Sequence, residues 1–268
     1  METVCAKILE LDSTCIPLGY DSEANWFITM CAQYGNDYTS ATGDEHFLFN
    51  NDGNKAFVKM LRQWYQNGYT TTQNLYGGYT SGLFTELEYT RCYMCIGSSA
   101  GATYQIPYDN AFEVGVAPIP QVSESNKKVI SQGPNPCILK SESTSEQEII
   151  ASWLFMKYLT TSVDFQTEFS STSGYMPVLE SAQDDPLYSE WLSKADGYSF
   201  LPAYVAKVSL EKADGYFATA AFNGSSVARE QVGLLLTKSM SAETTDVDDF
   251  IDRAFQDAYD ECIYQSGS

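Results

Sequence analysis

Segments that favour helices alternate along this chain with short apolar segments that favour strands. Residues 50–68 show the helical spacing, because Phe57, Leu61 and Trp64 fall on one helix face before a glycine. The predicted helices span residues 2–11, 24–34, 50–68, 145–158, 163–170, 227–240 and 247–264. The predicted strands span residues 15–20, 91–98, 112–120, 128–133 and 136–141. This alternation predicts an α/β fold.

Two of the predicted helices begin with recognisable start signals. Ser145 and Glu148 match a capping box, in which each residue bonds the backbone of the other. The acidic run of residues 246–252 superficially resembles a calcium loop, but it lacks the central glycine and the closing glutamate. Acids in a first helical turn are favoured by the helix dipole, so we interpret the run as a helix start.

The charge of the chain excludes several classes of partner. The net charge is -20, so a surface of this kind repels nucleic-acid phosphates and anionic lipids. No apolar run reaches the roughly 18 residues that span a membrane. The first residues lack a basic start followed by an apolar stretch, and we therefore expect no export signal in this chain.

Cysteine and histidine usage argues against a metal or cofactor. The seven cysteines form no metal-like cluster, and we interpret Cys92 and Cys95 of "CYMC" as small hydrophobic residues rather than a redox or zinc pair. His46 is the single histidine, which removes most Ser-His, Cys-His and multi-histidine schemes. Paired carboxylates for glycoside hydrolysis stay an alternative, although nothing marks a particular pair.

Serine pairs stand at two predicted helix starts, at Ser98 and Ser99 and again at residues 225–226. Helix N-termini present unpaired N–H groups and a positive dipole end. Arg229 follows in the first turn of the later helix, where a cation opposes the dipole and favours an anionic partner. The pattern predicts an oxyanion or sugar site. The alternative is ordinary capping by serine, with Arg229 in a surface ion pair with Glu230 or another acid.

Two aromatic residues are further candidates. Tyr175 lies in "STSGYMPV", between Gly174 and a proline, so a short stiff turn holds it. Its side chain either packs the turn against the core or faces a ligand. Trp26 follows a turn rather than an apolar stripe and either stacks on a sugar or packs in the core.

The order of these motifs resembles one protein family. "WFITMCAQYG" is followed by "FNNDGNKAFVKMLRQWYQNG", "GSSAG", "EVGVAPIP", "QGPNPCIL", "ASWLFMKYLTT", "TSGYMPV" and "ARE". This order resembles the extracellular solute-binding proteins of ABC importers, of the maltose-binding and glycerol-3-phosphate-binding kind. The similarity covers essentially the whole chain and is strongest toward the glycerol-3-phosphate branch. It implies a type II periplasmic-binding-protein-like α/β fold with two lobes around a cleft.

The chain departs from the family pattern because it begins where the family's C-terminal lobe begins. The resemblance implies that residues 1–130 form the first part of the C-terminal lobe and residues 186–268 its closing helices. Residues 131–185 would be a remnant of the N-terminal lobe. Most of that lobe would be missing, so we expect a truncated product whose remnant exposes sheet edges and apolar faces.

The resemblance also implies a set of ligand-binding residues. Ser98 and Ser99 match the family's serine pair, Gly133 the glycine at the lobe crossing, and Tyr175 the tyrosine of the "TGY-P" turn. Arg229 matches the arginine that meets phosphate in the glycerol-3-phosphate branch. Trp26 stands in for the family's paired tryptophans, which align less well.

The implied function is that of a substrate-binding component without enzyme activity and without a cofactor. It would import glycerol-3-phosphate, a glycerophosphodiester or a sugar, as a monomer that delivers its solute to an ABC permease. The complete protein would work outside the cytoplasmic membrane, as a cell-surface lipoprotein or in the periplasm. Two alternatives stay open: a carbohydrate-active enzyme that uses paired carboxylates, and a truncated remnant that binds nothing.

Overall fold

The structure is a computed structural model that describes residues 1–85, 91–195, 200–211 and 215–267. The chain forms two compact units. Unit 1 consists of Met1–Gly97, Ile119–Ser131 and Asp214–Ser268, and unit 2 of Ser98–Pro118 and Gln132–Ala213. The predicted lobe boundaries near residues 130 and 185 stay a prediction.

Helices and strands alternate along the chain, as the sequence predicts. In chain order they are α1 (Glu2–Leu11), β1 (Ile16–Tyr20), α2 (Glu23–Tyr34), α3 (Asp52–Gln66), β2 (Thr70–Thr72), α4 (Gln73–Tyr76), α5 (Ser81–Thr85), β3 (Cys92–Ile96), β4 (Val129–Ile130), α6 (Glu146–Thr161), α7 (Val163–Ser173), α8 (Glu180–Gln183), α9 (Pro186–Ser193), α10 (Leu201–Leu210), β5 (Tyr216–Phe217), α11 (Ser225–Ser241) and α12 (Val247–Ser266). Two short 3-10 helices, Ser99–Gln105 and Tyr108–Asn110, follow β3. All of the predicted helices are confirmed.

The sheet of unit 1 is parallel, with strand order β2-β1-β3. Leu18 of β1 is in register with Thr70 on one side and with Met94 on the other. The central strand needs a glycine at position 19, because a Cβ there would stand 2.6 Å from the Cβ of Thr80. A second, two-stranded parallel sheet pairs β4 with β5.

Helices α2, α3, α11 and α12 enclose the main core of unit 1. Phe27 lies at its centre, fully buried, with the rings of Phe49, Phe57 and Phe255 packed around it at centroid distances of 6.4, 5.1 and 6.0 Å. Such clusters add to the free energy of burial through edge-to-face contacts. The core therefore depends on the apolar faces that the helical spacing predicts.

Unit 2 has a small core and one conspicuously exposed helix. Its core cluster contains Tyr188, Trp191, Ala203 and Ala206. Helix α6 begins at the predicted capping box, in which Ser145 and Glu148 bond each other's backbone. None of the α6 side chains is buried, and five large apolar ones are exposed: Ile150, Trp153, Leu154, Phe155 and Tyr158. This exposure matches the expectation that apolar faces lack a partner in this part of the chain.

Several local predictions are wrong. The described segments 112–120 and 136–141 contain no strand, because their prolines withhold N–H donors and no neighbouring strand pairs with them. The segment "LYGGYTSG", residues 75–82, favours a loop, but it contains the end of α4 and the start of α5. Strand β2 and helices α8, α9 and α10 were not predicted, since three threonines and short helical segments give little periodic signal.

Cys92 and the acidic run behave as the sequence indicates. Cys92 is buried in β3, and burial raises the pKa of its thiol to about 12, which keeps it protonated as a small apolar group. Among the described residues there is no cluster of metal-ligating side chains and no helix with the length and hydropathy to cross a membrane. The acidic run begins α12, where Asp246 caps the backbone N–H of Asp249.

Candidate functional site

The carboxyl end of β1 leads directly into α2, which is where open parallel sheets commonly bind ligands. Asp21 follows the strand and accepts hydrogen bonds from the N–H (2.8 Å) and the hydroxyl (2.9 Å) of Thr80. Burial raises the pKa of Asp21, and the two hydrogen bonds from Thr80 oppose that rise. Ser22 then caps α2 by accepting from the N–H of Asn25 at 3.3 Å.

The start of α2 packs against the first half of α11. A Cβ at Gly233 would stand 3.5 Å from the Cβ of Ala24, so this glycine permits the close approach of the two helices. One turn earlier on α11, Arg229 donates a hydrogen bond from Nη2 to the side-chain oxygen of Asn25. The close approach therefore lets Arg229, near the start of α11, bond Asn25, near the start of α2.

Arg229 is half-buried, and the acceptor that the structure gives it is a neutral amide. Burial lowers the pKa of its guanidinium, while the nearby phenol of Tyr38 opposes this shift. No ion pair between Arg229 and Glu230 occurs among the described residues. The surface ion pair that the sequence left open is therefore not formed, and the charge of Arg229 has no carboxylate to neutralise it within the described part of the chain.

Tyr38 is a site residue that sequence reasoning missed. Its hydroxyl is buried without a hydrogen-bond partner among the described residues, and burial raises its pKa. Tyr38 stands in the segment between α2 and α3, so no spacing rule connects it with Arg229. Its proximity to Arg229 arises from tertiary packing alone.

Helix α11 differs from α2 in how its start is capped. Its N-cap residue is Gly224, with φ 97°, and no side chain bonds the first-turn N–H groups. Ser225 and Ser226 lie inside the first turn rather than at the cap, so ordinary serine capping is wrong here. The N–H of Ser225 donates to the carbonyl oxygen of Phe222 at 3.1 Å. Among the described residues, the N–H groups of Ser226 and Val227 and the positive dipole end remain available to an anion.

The other serine pair lies in unit 2. Ser98 caps the 3-10 helix Ser99–Gln105 by accepting from the N–H of Ala100 at 3.3 Å. This is the capping role that the sequence left open as an alternative. The Ser98 side chain is exposed and Ser99 is half-buried. Hydroxyl oxygens at this position can still accept a further hydrogen bond.

Tyr175 lies beside this serine pair within unit 2. Gly174 ends α7 with φ 76°, and a Cβ there would stand 2.8 Å from the carbonyl oxygen of Ser99. The Tyr175 ring stacks on Phe169 with centroids 5.9 Å apart, yet 37% of the residue is exposed. The turn thus fixes one face of Tyr175 and leaves part of the ring open to solvent.

Replacing Gly174 with alanine is expected to destabilise unit 2 by at least about 1–2 kcal/mol. The reason is twofold: a left-handed φ disfavours a side chain, and the new Cβ would clash with the Ser99 carbonyl. Gly133→Ala is the matched control, because its φ is not left-handed and a Cβ at that position would meet no atom within 4 Å. Urea denaturation of both variants checks this, and equal losses of stability would contradict it.

Of two further sequence candidates, Trp26 is buried and Gly133 is exposed. Trp26 is only 4% exposed and stacks on Tyr20 with centroids 4.5 Å apart, so it belongs to the core rather than to a ligand surface. Burial decides between the two interpretations that its sequence context allowed. Gly133 is exposed in an extended segment, where its carbonyl accepts from the side chain of Asn135.

Comparison with known families gives one match. The family described as "Bacterial extracellular solute-binding protein" matches residues 2–195, which is more than half of the chain. No curated protein sequence matches the chain significantly. The matched range includes α2, the serine pair at residues 98–99 and Tyr175, but it ends before Arg229.

Solved structures of binding proteins share the fold at low sequence identity. UgpB from Mycobacterium tuberculosis, in complex with glycerophosphocholine, has a TM-score of 0.65 and 15% identity, and the match covers 97% of this chain and 64% of that one. The cyclic alpha-maltosyl-1,6-maltose binding protein from Arthrobacter globiformis has a TM-score of 0.65 and 18% identity, over 97% and 63%. MalE from Bdellovibrio bacteriovorus, bound to maltotriose, has a TM-score of 0.65 and 16% identity, over 95% and 61%. The chain therefore spans less than two thirds of the length of these structures.

Proposed function

Because this chain belongs to the family of bacterial extracellular solute-binding proteins, we propose that it is the solute-binding component of an ABC importer. The ligand class that its residues support best is a glycerol phosphate or glycerophosphodiester. Binding needs no covalent step, and the protein is proposed to act by holding its solute for a membrane permease. Its place of action is outside the cytoplasmic membrane, in keeping with the family description.

The observation that carries the ligand class is the environment of Arg229. A half-buried guanidinium that bonds a neutral amide keeps its full charge in a partly desolvated place. Charge-assisted hydrogen bonds from arginine to phosphate are among the strongest polar contacts in proteins. The start of α11, one turn before Arg229, adds backbone N–H donors that no side chain caps. A phosphate group satisfies both features.

The remaining candidates are proposed as ligand contacts on the strength of the family resemblance. They are Ser98, Ser99, Gly133 and Tyr175. Hydroxyl groups and a partly open aromatic ring suit glycerol or sugar hydroxyls and ring faces.

A neutral sugar is the second candidate ligand. The exposed part of the Tyr175 ring favours it, because an aromatic face offers apolar contact to a pyranose ring. A sugar would not need the charge of Arg229. The two candidates therefore differ in how binding depends on that residue and on salt.

A ligand panel tests the proposal on the chain as it stands. Calorimetric titrations with glycerol 3-phosphate, glycerophosphocholine, maltose and maltotriose compare the two classes directly. We expect saturable binding of a phosphate-bearing ligand that weakens as salt increases. Binding of maltose or maltotriose alone would favour the sugar class, and binding of none of the four would contradict the proposal.

Replacing Asn25 with aspartate is expected to weaken binding of the phosphate-bearing ligand by about tenfold or more. A carboxylate at this position would pair with Arg229 and neutralise the charge that the ligand requires. Asn67→Asp, at the exposed C-cap of α3, adds the same charge to unit 1 as a control. Calorimetry on the two variants checks the prediction, and equal affinities would show that the Asn25–Arg229 contact does not tune the site.

A further inference from the structure

Helices α3 and α12 are joined by ion pairs that follow a regular order. Lys55 pairs with Asp252, with Nζ and Oδ1 2.9 Å apart, and Lys59 pairs with Asp248. The lysines are one turn apart on α3, and the aspartates are one turn apart on α12 in the opposite direction. The lysine one turn later on α3 therefore pairs with the aspartate one turn earlier on α12.

Arg62 is the next cation on this face of α3, but no acid follows in the series. Continuing by three residues before Asp248 leads to Thr245, which precedes α12 and bears no charge. Arg62 forms no ion pair with a carboxylate among the residues that the structure describes. The series therefore ends at Arg62 without a third acid in the described part of α12.

Arg62 is far more buried than the two lysines, with only 3% of its surface exposed. Nη1 donates to the carbonyl oxygen of Ser239 at 2.9 Å, in the last turn of α11. Its Nε is buried without a hydrogen-bond partner in the described part of the chain. One carbonyl satisfies only part of a guanidinium with five N–H donors, and burial of a charge without a counter-ion costs several kcal/mol.

Arg62 lines a surface pocket of about 780 Å³ at this end of α3 and α11. The other lining residues come from α3, the end of α11 and the segment before α12: Tyr65, Gln66, Met240, Ser241, Ala242, Glu243, Thr244 and Thr245. Several of these side chains are exposed, so the pocket opens to solvent. Its volume lies in the range that accommodates a small metabolite.

We propose that this pocket binds a small molecule through a phosphate or carboxylate group, which takes the place of the missing acid opposite Arg62. The anion would pair with Arg62, the third cation of the series on α3. The remaining volume accommodates the rest of the ligand against Tyr65 and the polar side chains of Gln66 and Ser241. The proposal does not depend on Arg229, which lies near the start of α11, whereas Arg62 contacts its last turn.

The test uses the Arg229→Gln variant of the full chain, so that phosphate binding at that arginine does not contribute. Inorganic phosphate is titrated at constant ionic strength, with chloride as the reference, in a calorimeter. We expect saturable phosphate binding in this variant. Adding Thr245→Asp supplies the missing acid, and we expect the affinity for phosphate to fall by about tenfold or more while the thermal midpoint rises.

Thr245→Asn in the same background is the matched control, since it adds a polar side chain of similar size without charge. It is expected to keep the affinity for phosphate. Two results would overturn the proposal: absence of saturable phosphate binding in the Arg229→Gln chain, or equal affinities in the aspartate and asparagine variants. Because Arg229 is absent throughout, neither result bears on the proposed solute site.

Discussion

Replacing Arg229 with glutamine is expected to weaken binding of glycerophosphocholine by about a hundredfold, because hydrogen bonds to charged groups contribute about 1.5–3 kcal/mol. The guanidinium is half-buried and bonds only the neutral side chain of Asn25 in the part of the chain described. Glutamine keeps a hydrogen-bond donor at this position but removes the charge. Isothermal titration calorimetry at low ionic strength measures the change.

Arg253→Gln is the matched control for this prediction. Arg253 lies on the exposed side of α12 and pairs with Asp249 one turn away. A surface pair of this kind contributes about 0–1 kcal/mol to stability, and its loss should leave ligand affinity unchanged. If Arg229→Gln and Arg253→Gln bound glycerophosphocholine equally well, the phosphate-binding role of Arg229 would be wrong.

Replacing Phe27 with alanine is expected to lower the free energy of unfolding of unit 1 by about 3–5 kcal/mol. Phe27 is fully buried, and truncation would leave a cavity among the rings of Phe49, Phe57 and Phe255. The surrounding helices can collapse into that space only in part. Chemical denaturation followed by circular dichroism gives the change.

Phe155→Ala makes the same substitution at an exposed position. Phe155 lies on α6 with 62% of its surface exposed, so its removal deletes little buried area. We expect a change within about 0.5 kcal/mol. A loss at Phe155 that equals the loss at Phe27 would contradict the assignment of the core to unit 1.

The longer helices of this chain, such as α6 and α12, could be predicted because their apolar spacing and capping signals are local. Ser145 and Glu148 indicate the start of α6 from four residues, and the acidic run before Phe250 indicates the start of α12. The strands were harder to predict. Residues 112–120 have strand-like composition, but a strand exists only where a neighbour pairs with it, and pairing is not a local property.

The candidate site was predicted only in part, for the same physical reason. The position of Arg229 near the start of α11 is visible in the sequence and pointed to an anion. Its hydrogen bond to Asn25 depends on how α2 packs against α11, and its electrostatic interaction with Tyr38 depends on where the segment after α2 lies. No motif in the sequence records either. Trp26 could be judged only from burial, since turn context fits both a core residue and a stacking residue.

Helix α6 shows that an amphipathic pattern can predict a helix correctly although the apolar face of that helix is exposed. The apolar stripe that includes Trp153 and Leu154 predicts a helix with a buried face, and the helix forms. Its apolar side chains are nevertheless exposed. The related structures contain more than a third of their length beyond the part that matches this chain.

The most direct test of the solute-binding account is a crystal structure of the chain grown with glycerophosphocholine. We predict that a phosphate oxygen lies within hydrogen-bond distance of the Arg229 guanidinium and of a first-turn N–H of α11. Crystals in which the ligand phosphate contacts neither group, or in which saturating ligand leaves the start of α11 unoccupied, would contradict the account.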